Sequence, residues 1–297
     1  NETGRSVDDF RREGAVFITI ERDPDSSINS MVKRSGQSRA QAKKEYKLGM
    51  DIINNLKGEK TYSLTFLDHE KEKLVKKVFM DVFDKYDLMN DIMSLGTHRV
   101  WKKEFINWLN PQKNTKLIDV ASGTGDIAKL FMEKVDYNGY VNCIDENKNM
   151  LVLSKKKLSK TKKIKWFCNN AEKLPFKNDM FDYYTISFGI RNVTNVDKTL
   201  KEAFRVLKPG GRFLCLEFSK VKNEILNKFY KNYSKSIPII GKLVVGKAEP
   251  YDYLIDSIEK FISQDEFFDL IKKHNFTNVS YRNLSGGIVS IHSAWKV

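Results

Sequence analysis

Cysteine is scarce in this chain, with Cys143, Cys168 and Cys215 the only three among 297 residues. They share no pairing interval and no neighbouring ligand set, which excludes a disulfide-stapled scaffold. Each sits in or beside an apolar, strand-like run, so they read as buried, reduced thiols of an intracellular protein. Histidine is nearly as rare: His69, His98, His274 and His292 are scattered, nothing resembles a zinc motif, and no metal is expected. Apolar runs of membrane-spanning length are missing too. The nearest, Ile237 to Val245, is broken by Gly241 and Lys242, so the chain reads as soluble or peripheral. Acids are absent from one long stretch, Lys148 to Lys165, which carries eight lysines. Residues 1 to 70 hold twelve basic and twelve acidic groups, so the net charge of +14 belongs wholly to the remainder. Such a face suits nucleic acid, an anionic membrane surface or plain solvation, and solvation is the simplest account of a lysine-rich chain.

What the chain does have is apolar content of 41% against 30% charged, enough for one full α/β core with an appendage. Its most informative stretch is LIDVASGTGDIA, Leu117 to Ala128, where an apolar run meets glycines and then a helix. Gly123 and Gly125 permit a sharp turn and close approach to a ligand, and the small Ala128 lets the helix pack on the sheet. Twenty residues past Gly125, Asp145 ends a second apolar run, where a carboxylate accepts hydrogen bonds from ribose hydroxyls. This spacing also fits a dinucleotide fingerprint. Asp119 leads into the loop and Asp126 opens the helix, however, so a diphosphate there would meet two negative charges. S-adenosylmethionine brings an ammonium and a sulfonium without phosphate, and acidic neighbours suit it better.

Residues 1 to 69 are polar and mixed in charge, with a short β-like run at Ala15 to Ile20 and a helical stretch near Ser38 to Leu56. A targeting or accessory role is expected for this extension, although its acids are unlike those of an organellar transit peptide. The second domain, 70–297, tightens into helices ending near Tyr86 and spanning about His98 to Leu109. Strands and helices then alternate as in a parallel sheet covered on both faces. Strands are expected at Leu117–Ala121, Tyr140–Ile144, Ile164–Cys168, Tyr183–Phe188 and Gly211–Phe218. Lys208 to Gly211 reads as a helix stop and tight turn after Leu207. Val279–Leu284 and Ile288–Trp295, around Ser285-Gly286-Gly287, read as an antiparallel edge hairpin. Ligands of such sheets bind at the strand C-terminal ends near the topological switch, which gathers Asp119, Asp145, Asn170 and Ser187 around one crevice.

At Tyr86–Lys102, YDLMNDIMSLGTHRVWK, and Arg205–Lys220, RVLKPGGRFLCLEFSK, the chain resembles the ubiquinone/menaquinone biosynthesis C-methyltransferase family. NNAEKLPF at 169–176 and SFGIRNV at 187–193 extend the resemblance over roughly 70–297. The first signature looks closest to the mitochondrial branch acting on a polyprenyl-methoxy-benzoquinol. The resemblance implies a class I S-adenosylmethionine-dependent methyltransferase, Rossmann-like, with a mostly parallel sheet, an antiparallel C-terminal edge hairpin and helices on both faces. It implies cofactor contacts at Thr124, Asp145, Asn170, Ala171 and Ser187, beside Asp119, Gly123 and Gly125. Ser122 departs from the family by standing where a glycine is usual, and Phe66-Leu67 replaces a usual Phe-Gly pair. The resemblance further implies a peripheral location on the matrix side of the mitochondrial inner membrane, or a cytoplasmic one in a bacterium. A polyprenyl quinol substrate, a membrane surface, other quinone-biosynthesis proteins and a homodimer complete the expected partners; nucleic acid is not among them.

Methylating an aromatic carbon requires in-line attack on the sulfonium methyl and loss of a ring hydroxyl proton. Arg191 cannot accept that proton at neutral pH, yet its charge can stabilise the oxyanion or orient a water. It is the expected main catalytic residue, matching a position implicated in the family; an arginine pairing a nearby acid is the plainer account. Tyr86 is a candidate to bond the quinol hydroxyl and His98 a candidate base, although an aromatic packed at a helix end and a helix-orienting histidine fit as well. Asn192 suits orienting the ring. Between Ile225 and Phe268, apolar and aromatic residues interleaved with lysines suit a prenyl groove or a membrane-resting helix, and ordinary packing accounts for most of them. Three competing functions remain: demethylmenaquinone methylation, nucleic-acid methylation, and a non-catalytic subunit. The nucleic-acid reading lacks an Asn-Pro-Pro-aromatic or Asp-Pro-Pro-aromatic motif.

Overall fold

The computed structural model describes residues 96–222 and 249–297, together with Asp91, Ser94, Lys228, Tyr230, Tyr233 and Ile237. Expectations for residues 1–69, for Tyr86 and for most of 225–248 lie outside the described residues.

The first described helix, α1 (His98–Leu109), follows from its periodicity: Trp101, Phe105 and Leu109 recur every four residues and are buried, while Lys103, Glu104 and Asn107 alternate outward. It stops at Asn110, whose positive φ of 47° returns its N–H to Ile106 O, and Pro111 cannot extend it. Seven strands follow: β1 (Lys116–Val120), β2 (Tyr140–Asp145), β3 (Ile164–Cys168), β4 (Phe181–Ser187), β5 (Leu207–Phe218), β6 (Thr277–Leu284) and β7 (Val289–Trp295). Helices α2 (Asp126–Lys134), α3 (Lys148–Lys157), α4 (Val196–Val206), α5 (Glu249–Lys260) and α6 (Gln264–Lys273) separate them, with 3-10 turns at Ile190–Asn192 and Ser285–Gly287.

The sheet order is β3-β2-β1-β4-β5-β7-β6, parallel through β5 and antiparallel at β7 and β6, as the strand pattern predicts. Period-two alternation sends side chains to two apolar layers. Leu117, Val141 and Leu214 join Phe105 and Phe131 on one face, while Ile118, Ile144 and Cys215 join Leu200 and Phe267 on the other. The chain runs outward through β1, β2 and β3 and then returns to β4, so the switch lies between β1 and β4, where a crevice opens.

Two expectations need correction. Helix α4 ends at Val206, and Lys208 to Gly211 is drawn into β5: Leu207 pairs with Phe181, and Gly210 N–H donates to Lys296 O at 2.6 Å. Cys143 and Cys215 are buried as expected, but Cys168 is exposed, because β3 has no neighbouring strand beyond it among the described residues. The lysine run occupies α3, the connection after it and the start of β3, with Lys155, Lys156, Lys160 and Lys162 exposed.

Candidate active site

The crevice is built on two loops that leave adjacent parallel strands. After β1, Ala121 (φ 51°) and Gly123 (φ 51°) take up the left-handed backbone of the turn, while Ser122 is not among the positive-φ residues. Serine, standing where the resemblance implies a glycine, therefore needs no left-handed backbone. A Cβ on Gly123 would meet nothing within 4 Å, so this glycine fronts open space. A Cβ on Gly125 (φ 84°) would fall 2.4 Å from Ser154 Oγ and 2.8 Å from Leu158 Cδ1. Gly125 thus serves the packing of α2 on α3, whereas Gly123 serves the cavity.

At the end of β2, Asp145 fastens this turn. Its Oδ2 accepts the Gly123 N–H at 2.8 Å and its Oδ1 accepts the Asn147 N–H at 2.8 Å. Burial pushes its carboxyl up, opposed by those two N–H donors. Asp145, Gly123, Asn170, Ala171 and Ser187 line one cleft. Residues not singled out from the sequence complete it, notably Met150, Asn169 and Glu172. Glu172 also accepts the Asn195 N–H at 2.7 Å, tying the loop after β3 to the start of α4. Asn192 lines the same cleft.

A smaller recess adjoins it, lined by Lys102, Asp119, Ser122, Thr124 and Asp126 and sharing Gly123, Ser187 and Phe188 with the cleft. Asp119 is 1% exposed; Oδ1 accepts the Thr185 hydroxyl at 2.8 Å and Oδ2 has no partner among the described residues. Burial pushes its carboxyl up to about 7, against the Thr185 bond and the Lys102 charge. Asp126 behaves oppositely: burial pushes it up, but Lys102 (2.8 Å) and Lys157 (2.5 Å) outweigh that and hold it well below the usual range. Contrary to the expectation that both acids repel a diphosphate, Asp126 is compensated by Lys102 and Lys157. Asp119, with one oxygen lacking a hydrogen-bond partner among the described residues, and Lys102 leave a recess with an acidic and a basic wall.

Of the candidates for catalysis, the two among the described residues, His98 and Arg191, line neither recess. His98 is buried in the first turn of α1 with Nε2 3.0 Å from Asp91 Oδ1, and it lines neither recess. Burial pushes its imidazole down, aided by the Lys102 charge. Arg191, 8% exposed, lies just behind the cleft wall. Its Nη1 donates to Glu217 Oε1 at 2.7 Å and to Phe188 O at 2.8 Å. The acid-paired arginine is thus what the structure contains. Glu217 was missed from the sequence, although one acid inside the apolar run FLCLEF was a visible signal.

Comparison with known proteins agrees with this geometry. The model of the ubiE/COQ5 methyltransferase family matches residues 67–296. The ubiquinone/menaquinone biosynthesis C-methyltransferase UbiE of Rickettsia bellii is 53% identical over 236 residues, covering 77% of this chain and 95% of the relative. Its counterpart in Rickettsia prowazekii is 53% identical over 235 residues, covering 77% and 94%. Among solved structures, an S-adenosylmethionine-dependent methyltransferase of Thermotoga maritima aligns with TM-score 0.54 at 17% identity, over 75% of this chain and 99% of that one. The methyltransferase complexed with the Trm112 activator of Haloferax volcanii aligns with TM-score 0.55 at 13% identity, over 73% and 96%. These two share the fold, which is that of class I S-adenosylmethionine-dependent methyltransferases.

Proposed function

The chain belongs to the ubiE/COQ5 methyltransferase family, and on that premise we propose that it C-methylates a polyprenylated methoxy-benzoquinol in ubiquinone biosynthesis. Its cofactor is S-adenosylmethionine. The observation that carries the reading is the pair of joined recesses at the C-terminal ends of the parallel strands, with Gly123 at their junction. Gly123, Thr124, Asp145, Asn170, Ala171 and Ser187 would hold the nucleoside. Asp119 and Lys102 suit the ammonium and carboxylate of the amino-acid end. When bound, the cofactor supplies a methyl group made electrophilic by a sulfonium.

The chain's own residues must then orient the ring and manage its hydroxyl proton. Arg191 offers a fixed positive charge to the oxygen that becomes anionic, and Asn192, on the cleft wall, orients the ring. Tyr86 closes the site in this proposal. His98, held by Asp91 away from both recesses, serves instead to anchor the start of α1. The prenyl tail, the membrane surface, further quinone-biosynthesis proteins and a second copy of the chain remain the partners proposed. Placement on the matrix side of the mitochondrial inner membrane rests on the likeness of Tyr86–Lys102 to the mitochondrial branch; the relatives compared are bacterial. Among the described residues no helix is long and apolar enough to cross a membrane.

The names of the relatives cover both quinones, so demethylmenaquinol is the second substrate to test. Purified protein with methyl-labelled cofactor is offered a demethylated benzoquinol and a demethylated naphthoquinol. Faster label transfer to a benzoquinol ring carbon is the expected result. Preference for the naphthoquinol would exchange the substrates, and transfer to neither would remove the proposal.

A further inference from the structure

Among the described residues, Arg191 and Glu217 form the one ion pair whose side chains are both almost wholly enclosed, at 5% and 1% exposure. Burying two charges costs several kcal/mol of desolvation per ion by rough estimate, and a well-packed apolar pair is often as stable, so fold stability alone does not call for this pair. Its bonds show a narrower purpose. Glu217 Oε1 accepts from Arg191 Nη1 at 2.7 Å, and Oε2 accepts the backbone N–H of the same residue at 3.4 Å. One carboxylate therefore grips both the guanidinium and the Ile190–Asn192 turn that carries it. It is itself fixed by the Phe218 N–H at 2.9 Å.

The grip extends to the cleft on either side. Arg191 Nη1 also holds Phe188 O at 2.8 Å, and Phe188 lines both recesses. Arg191 Nε donates to Ser257 Oγ of α5 at 3.4 Å. The next residue, Asn192, lines the cleft and accepts the Tyr253 hydroxyl at 3.1 Å, also from α5. Two walls of the site thus meet at one buried carboxylate on β5.

We propose that Glu217 is a positioning residue for methyl transfer: it fixes the Arg191 guanidinium and the Ile190–Asn192 turn behind the cleft wall, and its charge tempers the charge that Arg191 offers to an ionising ring hydroxyl. This rests on the quinol-methylating reading above.

The other groups facing the pair leave Glu217 as its compensating charge. Tyr253 of α5 is raised by burial, and Cys215 of β5 is raised by burial and by Glu217, so both stay protonated near neutrality. Asp256 of α5 is half exposed and pairs with Lys260 at 2.8 Å. On β7, Ser290 stands opposite Glu217, and His292, opposite Cys215, is pushed by burial down to about 4 and stays neutral.

Two substitutions separate geometry from charge. Glu217→Asp keeps the charge and withdraws it by one methylene, so kcat should fall about tenfold or more while the pH profile stays in place. Glu217→Gln keeps the length and removes the charge, leaving Arg191 uncompensated. Here the acid limb of the kcat profile should move to lower pH, because a bare guanidinium favours the bound ring oxyanion more strongly. Cofactor affinity, measured by calorimetry, should match the parent in both. A wild-type kcat for Glu217→Asp overturns the proposal; so does an unmoved limb for Glu217→Gln, or a loss of cofactor affinity that parallels the loss of kcat. Should Glu217→Gln not fold, the Asp variant decides alone. A parent protein that methylates no quinol overturns the functional reading and this inference with it, whereas an active parent with an unaffected Asp variant overturns the inference only.

Discussion

The backbone N–H of Gly123 donates to Asp145 Oδ2 at 2.8 Å, joining the end of β2 to the turn that leaves β1. The same carboxylate accepts the Asn147 N–H at 2.8 Å, so one side chain shapes the entry to α3 and the cofactor loop together. Asp145 thus acts on the cleft from its wall and also through the backbone that frames it.

Replacing Asp145 with Ala should abolish measurable binding of S-adenosylmethionine. The substitution removes the proposed ribose contact and releases the part-buried N–H groups of Gly123 and Asn147 that hold the turn. Calorimetric titration of parent and variant is the check, and equal affinities would dismiss the assignment.

The two loop glycines should answer differently to alanine. Gly125→Ala places Cβ 2.4 Å from Ser154 Oγ, so we expect loss of the folded protein or a large drop in Tm. Gly123→Ala meets no protein atom within 4 Å and strains only its positive φ, at roughly 1–2 kcal/mol. It should fold and lose cofactor affinity. Similar behaviour of the two variants in thermal melts would contradict the division of labour between packing and cavity.

Arg191→Met should eliminate turnover and destabilise the fold by about 3–5 kcal/mol, because it strands Glu217 as a buried, unpaired charge. Combining it with Glu217→Leu should recover most of that stability without recovering turnover. Urea denaturation and methyl transfer measured on the same preparations test this. Activity in the double variant would take Arg191 out of the reaction.

Asp119 makes a pH-dependent contribution whose sign is fixed by its burial. Its folded value of about 7 lies above the ordinary 3.8, so between them the folded chain holds a proton that the unfolded chain releases. Stability from this group is therefore greatest below about 4, declines as pH rises towards 7 and levels off above, a loss of up to about 4 kcal/mol by linkage. Asp119→Asn should flatten this slope in urea midpoints taken at acid and neutral pH. In the parent, a cationic cofactor should bind more tightly as pH rises through 7, with proton release; an identical pH dependence in the Asn variant would refute the assignment.

Local signals were legible without the structure where one element suffices to generate them. Helix α1 follows from the spacing of Trp101, Phe105 and Leu109, and β2 ends at Asp145 because its apolar run ends there. The departure at Ser122 was visible too, but only the backbone shows that Ala121 and Gly123 take the positive φ in its place. Cys143 and Cys168 look alike in sequence and differ in exposure, since strand order leaves β3 with no neighbouring strand beyond it among the described residues.

By itself the sequence determined the alternating α/β core, the glycine turn, the acid that closes it and the family, because periodicity and motif spacing are properties of contiguous residues. The tertiary structure alone decided which charges compensate which. Asp197, six residues past Arg191 in the chain, pairs with His274 at 2.9 Å, while Arg191 reaches Glu217 on the neighbouring strand β5. Asp126 is neutralised by lysines from α1 and α3, and Asp119 has one oxygen without a hydrogen-bond partner among the described residues. Coulomb and desolvation energies depend on distance through the folded interior, and that distance exists only once sheet order has brought separate strands together.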